Sequence, residues 1–171
     1  ILTAMSEANR LEESIRSNEL CETDLTELLR EVFIAYVAIY PQHNLSLQCS
    51  AYETSVCVAP DLIVQALDKF MDNAASFTPD EGHIIVALQT VNGHLEISVC
   101  NEGPLLPEEL QEQLFESMVS LRTRASENVH MGLGLYIVRL VAEFHRGSVH
   151  AENLADGTGV RFVMQLSSEK L

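Results

Sequence analysis

Apolar residues recur every three or four positions at the start of the chain: Ile1, Met5, Ala8, Leu11 and Ile15, with Glu7, Arg10, Glu12, Glu13 and Arg16 on the other faces. So narrow a seam predicts an amphipathic helix fit for a bundle or coiled coil. The pattern lapses over residues 16–21, which read as a joint. Asp24, with Glu27 three residues on, forms a capping box for a second helix whose apolar face is Leu25, Leu28, Leu29, Val32, Tyr36 and Ile39, stopped by Pro41. Short strands are expected at 45–49 and 56–58. Pro60 suits the first turn of a third helix, with Ile63, Leu67, Phe70 and Met71 facing inward and Pro79 beyond its end.

Strands are predicted at 84–91 and 95–100, joined by Asn92-Gly93, a strong hairpin signal. Pro107, Glu108 and Glu109 start a short helix carrying Leu110, Leu114 and Met118. Residues 119–131 are polar and without period, a loop. Leu135, Val138, Val141 and Ala142 then fall at helical spacing, which puts Gly132, Leu133, Gly134 and Leu135 at a helix start. That helix ends near Gly147. Final strands cover 148–154 and 160–166; in the second, Val160, Phe162, Met164 and Leu166 alternate with Arg161, Gln165 and Ser167. Paired strands with helices between them predict an α/β two-layer sandwich, an antiparallel-rich sheet with helices on one face.

Composition narrows the function. A formal charge of −15 with only ten Lys and Arg argues against a nucleic-acid surface, which needs a basic stripe. The few cations become informative: between Glu31 and Leu121 the only one is Lys69, followed by Arg122 and Arg124. The four cysteines have no C-x-x-C spacing and read as buried free thiols of a reducing compartment. No run is long enough for a membrane span.

Four segments carry candidate chemistry. The Gly132-Leu133-Gly134-Leu135 turn offers free backbone N–H groups at a helix start, a phosphate site, although such turns also serve only to let a helix pack closely. Lys69, Asn73 and Ser76 share a helix face. Asn73 is either an exposed residue or an oxygen ligand for Mg²⁺, a hard cation that prefers oxygen. Asn101-Glu102-Gly103-Pro104, at a strand end, is either a plain turn or the wall of a pocket for a flat polar ligand. The loop with Arg122 and Arg124 is either a lid or an ordinary surface loop.

In this order the segments resemble the ATP-binding catalytic domain of sensor histidine kinases, in the superfamily of Hsp90, MutL and gyrase. Asn73-Ala74 with Phe77-Thr78-Pro79 resembles the family's asparagine box, and residues 101–107 its first glycine box. Leu114-Phe115-Glu116 resembles the phenylalanine box. Residues 132–138 through His145-Arg146-Gly147 resemble the second glycine box, and residues 157–162 the closing glycine-strand motif. Ser117-Met118-Val119-Ser120 and Glu143-Phe144-His145 are similar to sensor kinases of proteobacterial dedicated sortase systems.

The resemblance implies a mixed, mostly antiparallel sheet preceded by a helical segment from the dimerisation domain: residues 1–20 the end of the dimerisation and histidine-phosphotransfer helix, 21–171 the ATP-binding domain. It implies ATP and Mg²⁺ as ligands, with Asn73 on the metal and Phe77 beside adenine. Gly103 and Leu106 would lie near the base, with Val160 on the closing strand. Gly132 to Leu135 would cradle phosphates, and Arg122 or Arg124 would reach the γ-phosphate from a lid. Partners implied are the chain's own dimerisation domain, a response regulator and a second copy in a homodimer. The setting implied is the cytoplasmic side of an inner-membrane sensor protein.

The departures matter. Lys69 stands where the family has a second Asn, and Ser76 where it commonly has Lys, so Lys69 takes over a phosphate contact. Asn101 stands for the usual Asp at the adenine, with a loss of about 1 kcal/mol of charge-assisted strength. Leu105 replaces a glycine, and His130-Met131 the lid-end glycine. None of the six histidines has the family's acceptor context; they read as satisfied or solvent-facing, and the phosphoacceptor is expected outside this sequence. An anti-sigma-factor-like serine kinase and a degenerate docking module remain as alternatives.

Overall fold

The computed structural model describes residues 2–111, 113–116 and 131–167. Its elements are α1 (Leu2–Arg16), β1 (Cys21–Asp24), α2 (Leu25–Ile39), β2 (Asn44–Cys49), β3 (Ser55–Val58), α3 (Pro60–Phe77), β4 (His83–Val91), β5 (His94–Glu102), α4 (Glu108–Gln111), α5 (Met131–Phe144), β6 (Ser148–Asn153) and β7 (Gly159–Leu166).

Five strands form one sheet in the order β2-β4-β5-β7-β6. Every pairing in it is antiparallel except β2 with β4, which α3 connects as a parallel crossover. The sheet is therefore mixed and mostly antiparallel, with α3 and α5 side by side on one face. On that face Ile84, Val86 and Leu88 of β4 meet Leu95, Ile97 and Val99 of β5, and Val160, Phe162, Met164 and Leu166 of β7. Phe162 sits between Phe70 of α3 (ring centroids 5.8 Å) and Phe115 (6.4 Å), so one aromatic cluster joins helix, sheet and the turn after α4. On the opposite face Arg161 bridges Glu96 and Glu152.

Local signals act as their chemistry dictates. Asp24 Oδ1 accepts the N–H groups of Thr26 (2.9 Å) and Glu27 (3.3 Å), capping α2. Asn92 and Gly93 both take positive φ (51° and 81°), the conformation of a two-residue type I′ hairpin. Pro60 occupies the first turn of α3, and Thr78 ends it by donating both N–H and Oγ1–H to Ala74 O. α1 joins the same core: Ile15 is buried, and Tyr136 of α5 donates to Glu12 at 3.3 Å.

Five expectations need correction. No strand is expected between the joint at 16–21 and the Asp24 cap, yet residues 21–24 form strand β1, which pairs antiparallel with β3 in a separate two-stranded sheet, while Asp24 still caps α2. Cys-Glu-Thr-Asp shows no alternation to betray it, because the partner strand and not the sequence period holds it in place. Ile39, expected on the apolar face of α2, is 60% exposed, since Leu25, Leu29 and Tyr36 set the inward face. The helix begun at Pro107 ends at Gln111, followed by a turn over 113–116. Cys21, Cys49 and Cys57 are free but exposed, because they lie on short peripheral strands; only Cys100 is half-buried. His43 is buried with Nδ1 lacking a hydrogen-bond partner among the described residues, so it is neither satisfied there nor solvent-facing.

Candidate functional site

α3 and α5 meet where the sequence places its densest chemistry. Gly134, in the first turn of α5, faces the side chain of Lys69 on α3: a Cβ at residue 134 would lie 3.4 Å from Lys69 Cδ and 3.7 Å from its Cβ. The lysine stem thus runs across the start of α5, with room for little more than a methyl group between them. One turn further along α3 is Asn73, 9% exposed, whose Oδ1 is buried with no hydrogen-bond partner among the described residues. A buried amide oxygen without a donor costs about 1–3 kcal/mol unless something satisfies it. An oxygen-seeking cation does so, and this is the fit between this chain and a metal such as Mg²⁺. Among the described residues no group of three or more His, Cys, Asp or Glu forms a metal cage, so such a cation would need other oxygens, those of a phosphate ligand.

The sheet supplies a third wall. Asn101, 3% exposed, lies one residue before the end of β5 on the helix-bearing face, with Val160 of β7 as its register partner. Asn101 Nδ2 donates to Glu102 O at 3.0 Å. Gly103 follows with φ +145°, and a Cβ there would stand 2.6 Å from Phe77 O. The glycine is thus required by the close approach of β5 to the end of α3, whatever ligand is present. Glu102 points away to β4, where the backbone N–H of His83 at 2.9 Å holds its carboxyl below the usual range. Leu106 is pinned by Asn153, whose side chain accepts from Leu106 N (2.8 Å) and donates to Leu106 O (2.9 Å).

Lys69, Asn73, Phe77, Asn101, Gly103, Val160 and Gly134 therefore surround one region at the α3–α5 junction and the adjoining sheet end. Ser76 is exposed and its hydroxyl donates to Asp72 O at 2.8 Å, so it brings no free donor to this region. The Leu135 side chain is buried in the core, which leaves only its backbone for a ligand. Gly132 and Leu133 lie in the first turn of α5. Arg122, Arg124, His130 and the Ser117–Ser120 segment lie outside the described residues. A cavity of about 470 Å³ lined by Phe115, Arg139, Glu143 and His150 lies along the later half of α5 and contains none of the site residues.

Sequence reasoning missed three groups beside this region. Tyr36 of α2 and Tyr40, the residue that caps the end of α2, each donate to an aspartate on α3: Tyr36 to Asp68 and Tyr40 to Asp72, both at 2.7 Å. Burial, then the aspartate acceptor, pushes both phenols well above their ordinary range, so they remain donors. Tyrosines and aspartates each spaced by four residues were the available signal. Asn153, the clamp on Leu106, gave none.

A model of the histidine kinase-, DNA gyrase B- and HSP90-like ATPases matches residues 58–170. The chain belongs to that family. The match runs from the strand before α3 through β7 and so takes in every candidate site residue. Relatives include the sensor protein CreC of Escherichia coli K12, 31% identical over 138 residues, which cover 81% of this chain and 29% of CreC. The sensor histidine kinase CusS of Escherichia coli O157:H7 is 31% identical over 145 residues, 84% of this chain and 30% of CusS. This ATPase-family chain thus spans about a third or less of the curated relatives it matches. Among solved structures, the nucleotide-free catalytic domain of the histidine kinase ThkA superposes with a TM-score of 0.74 at 26% identity, covering 90% of this chain and 99% of that one. The catalytic domain of sensor histidine kinases is the fold this chain adopts.

Proposed function

We propose that the chain binds Mg-ATP between α3 and α5 and acts as the ATP-binding catalytic domain of a sensor histidine kinase. In that role it delivers the γ-phosphoryl group to a histidine on a dimerisation domain, for relay to an aspartate of a response regulator. The observation that carries the reading is the unpartnered Asn73 Oδ1, buried one turn from the lysine that lies on Gly134.

Phosphoryl transfer asks little covalent chemistry of a protein; positioning and charge neutralisation do most of the work. Bound Mg²⁺ would supply charge neutralisation on the triphosphate. Asn73 would offer it an amide oxygen, and Lys69 would contact a phosphate directly. The free N–H groups at the start of α5 would cradle phosphate oxygens, aided by the helix dipole. Asn101 would accept from the exocyclic amine of adenine, with Phe77, Leu106 and Val160 as apolar neighbours that exclude water.

Residues 1–20 would belong to the dimerisation helix and 21–171 to the ATP-binding domain, in a homodimer on the cytoplasmic side of an inner-membrane sensor. Among the described residues no helix is long and apolar enough to cross a membrane. Calorimetric titration with Mg-ATP, followed by incubation with γ-labelled ATP and a separate histidine-bearing dimerisation domain, tests both halves. Binding together with acid-labile label on that domain is the expected result. Absence of binding at millimolar nucleotide overturns the reading; label on serine replaces it with a serine kinase.

A further inference from the structure

Lys69 has a setting unusual for this chain. The sequence holds 25 acidic residues against ten basic, and Asp68 and Asp72 flank Lys69 on its own helix. Asp72, three residues on, is within reach of an intrahelical ion pair. Yet among the described residues Lys69 forms no ion pair. Its two acidic neighbours are taken by α2: Tyr36 holds Asp68 and Tyr40 holds Asp72, each through a 2.7 Å hydrogen bond. The two phenols lie four residues apart at the end of α2 and its cap, as the two carboxylates do on α3, so the two clamps act in parallel. The lysine stem meanwhile runs along Gly134 in the first turn of α5.

We propose that Lys69 supplies part of the charge compensation otherwise left to the metal, so that this site retains nucleotide without Mg²⁺, and that Tyr36 and Tyr40 are positioning residues that keep Lys69 available by holding Asp68 and Asp72 against α2. The inference rests on the nucleotide reading of the cleft. Its physical basis is that an ammonium a few ångströms from a polyphosphate is a permanent local cation, whereas an Asn at the same position offers only a dipole. If either aspartate swung to Lys69, that cation would be neutralised before the ligand arrived.

The test is calorimetric titration of the chain with ATP, once in excess Mg²⁺ and once in EDTA. It is run on the wild type, Lys69→Gln, Lys69→Arg and the double variant Tyr36→Phe/Tyr40→Phe, each checked for folding by thermal melt. Chelation is expected to weaken wild-type binding by no more than about tenfold, and Lys69→Gln by a further tenfold or more, while Lys69→Arg stays close to wild type. The tyrosine double variant keeps the lysine and should still lose about tenfold in EDTA, with a smaller loss in Mg²⁺. Equal losses on chelation in wild type and Lys69→Gln overturn the role of Lys69 and leave Mg-ATP binding standing. A folded double variant that binds metal-free ATP as wild type does overturns the role of the tyrosines. Failure of the wild type to bind ATP even in Mg²⁺ instead removes the nucleotide reading itself.

Discussion

Lys69 Cδ lies 3.4 Å from the point where a Cβ on Gly134 would sit, an ordinary van der Waals distance to the flexible part of a side chain. The Gly134→Ala substitution therefore fits with a small shift of the lysine stem. Alanine is also the better helix former, by up to about 1 kcal/mol. The apo protein should melt at the same temperature or slightly higher, while ATP affinity falls by about tenfold because the methyl displaces Lys69 and crowds the first-turn amides. Paired thermal melts and calorimetry check this, and full affinity in the variant would show that the turn serves packing alone.

Asn73 separates ligand binding from folding in the same way. Its buried Oδ1 has no partner among the described residues, so Asn73→Ala removes an unsatisfied group along with a poor helix former. Stability without ligand should change by less than about 1 kcal/mol, as for substitutions that break no internal bond. The Mg²⁺ dependence of ATP binding should vanish. Denaturant unfolding of the apo protein is the discriminating measurement: a loss above about 2 kcal/mol would mark Asn73 as a structural residue.

What the sequence made legible was local. The Asn92-Gly93 hairpin, the Asp24 cap, the Pro60 start and the alternation along β7 each depend on residues within a turn or a strand of one another, and the chain folds as they read. The shared face of Lys69 and Asn73 is legible for the same reason. The parallel β2–β4 pair and the small β1–β3 sheet depend on partners far along the chain, and β1 has no period to reveal it. The clamps on Asp68 and Asp72 each join residues 32 positions apart, and Asn153 reaches Leu106 across 47. Only the packing of α2 on α3, and of β6 beside the loop after β5, brings those groups together.

Gly103 presents the opposite case to Gly134. Its φ of +145° disfavours any side chain, and the nearest atom to an added Cβ is the Phe77 carbonyl oxygen at 2.6 Å, backbone that cannot rotate aside. Gly103→Ala should cost about 2–4 kcal/mol, the sum of strain and the forced separation of β5 from α3. Gly93→Ala is the control: it also has positive φ (81°) but nothing within 4 Å, so it should cost only about 1 kcal/mol. Equal losses in urea unfolding would mean that the approach to Phe77 is not tight.

His145 ties α3 and α5 together at the ends away from the candidate site, and its chemistry makes the tie pH-dependent. Nε2 accepts the backbone N–H of Ala59, just before α3, at 3.0 Å. The proton therefore sits on Nδ1, which donates to Val141 O at 2.7 Å. Protonation would convert Nε2 from acceptor to donor and turn it against Ala59 N–H. Burial, at 7% exposure, pushes the imidazole below its ordinary value of 6.5, and the Val141 carbonyl offsets this only in part. Below pH 6.5 the unfolded chain takes up this proton before the folded one does, so stability is full above that value and falls as pH drops towards the folded pKa. The slope approaches about 1.4 kcal/mol per pH unit for a single group. Urea unfolding between pH 8 and pH 5 should show that loss in the wild type and a smaller one in His145→Gln, whose amide oxygen can accept from Ala59 and does not titrate. Identical pH profiles in the two proteins would mean that His145 is not held neutral by this contact.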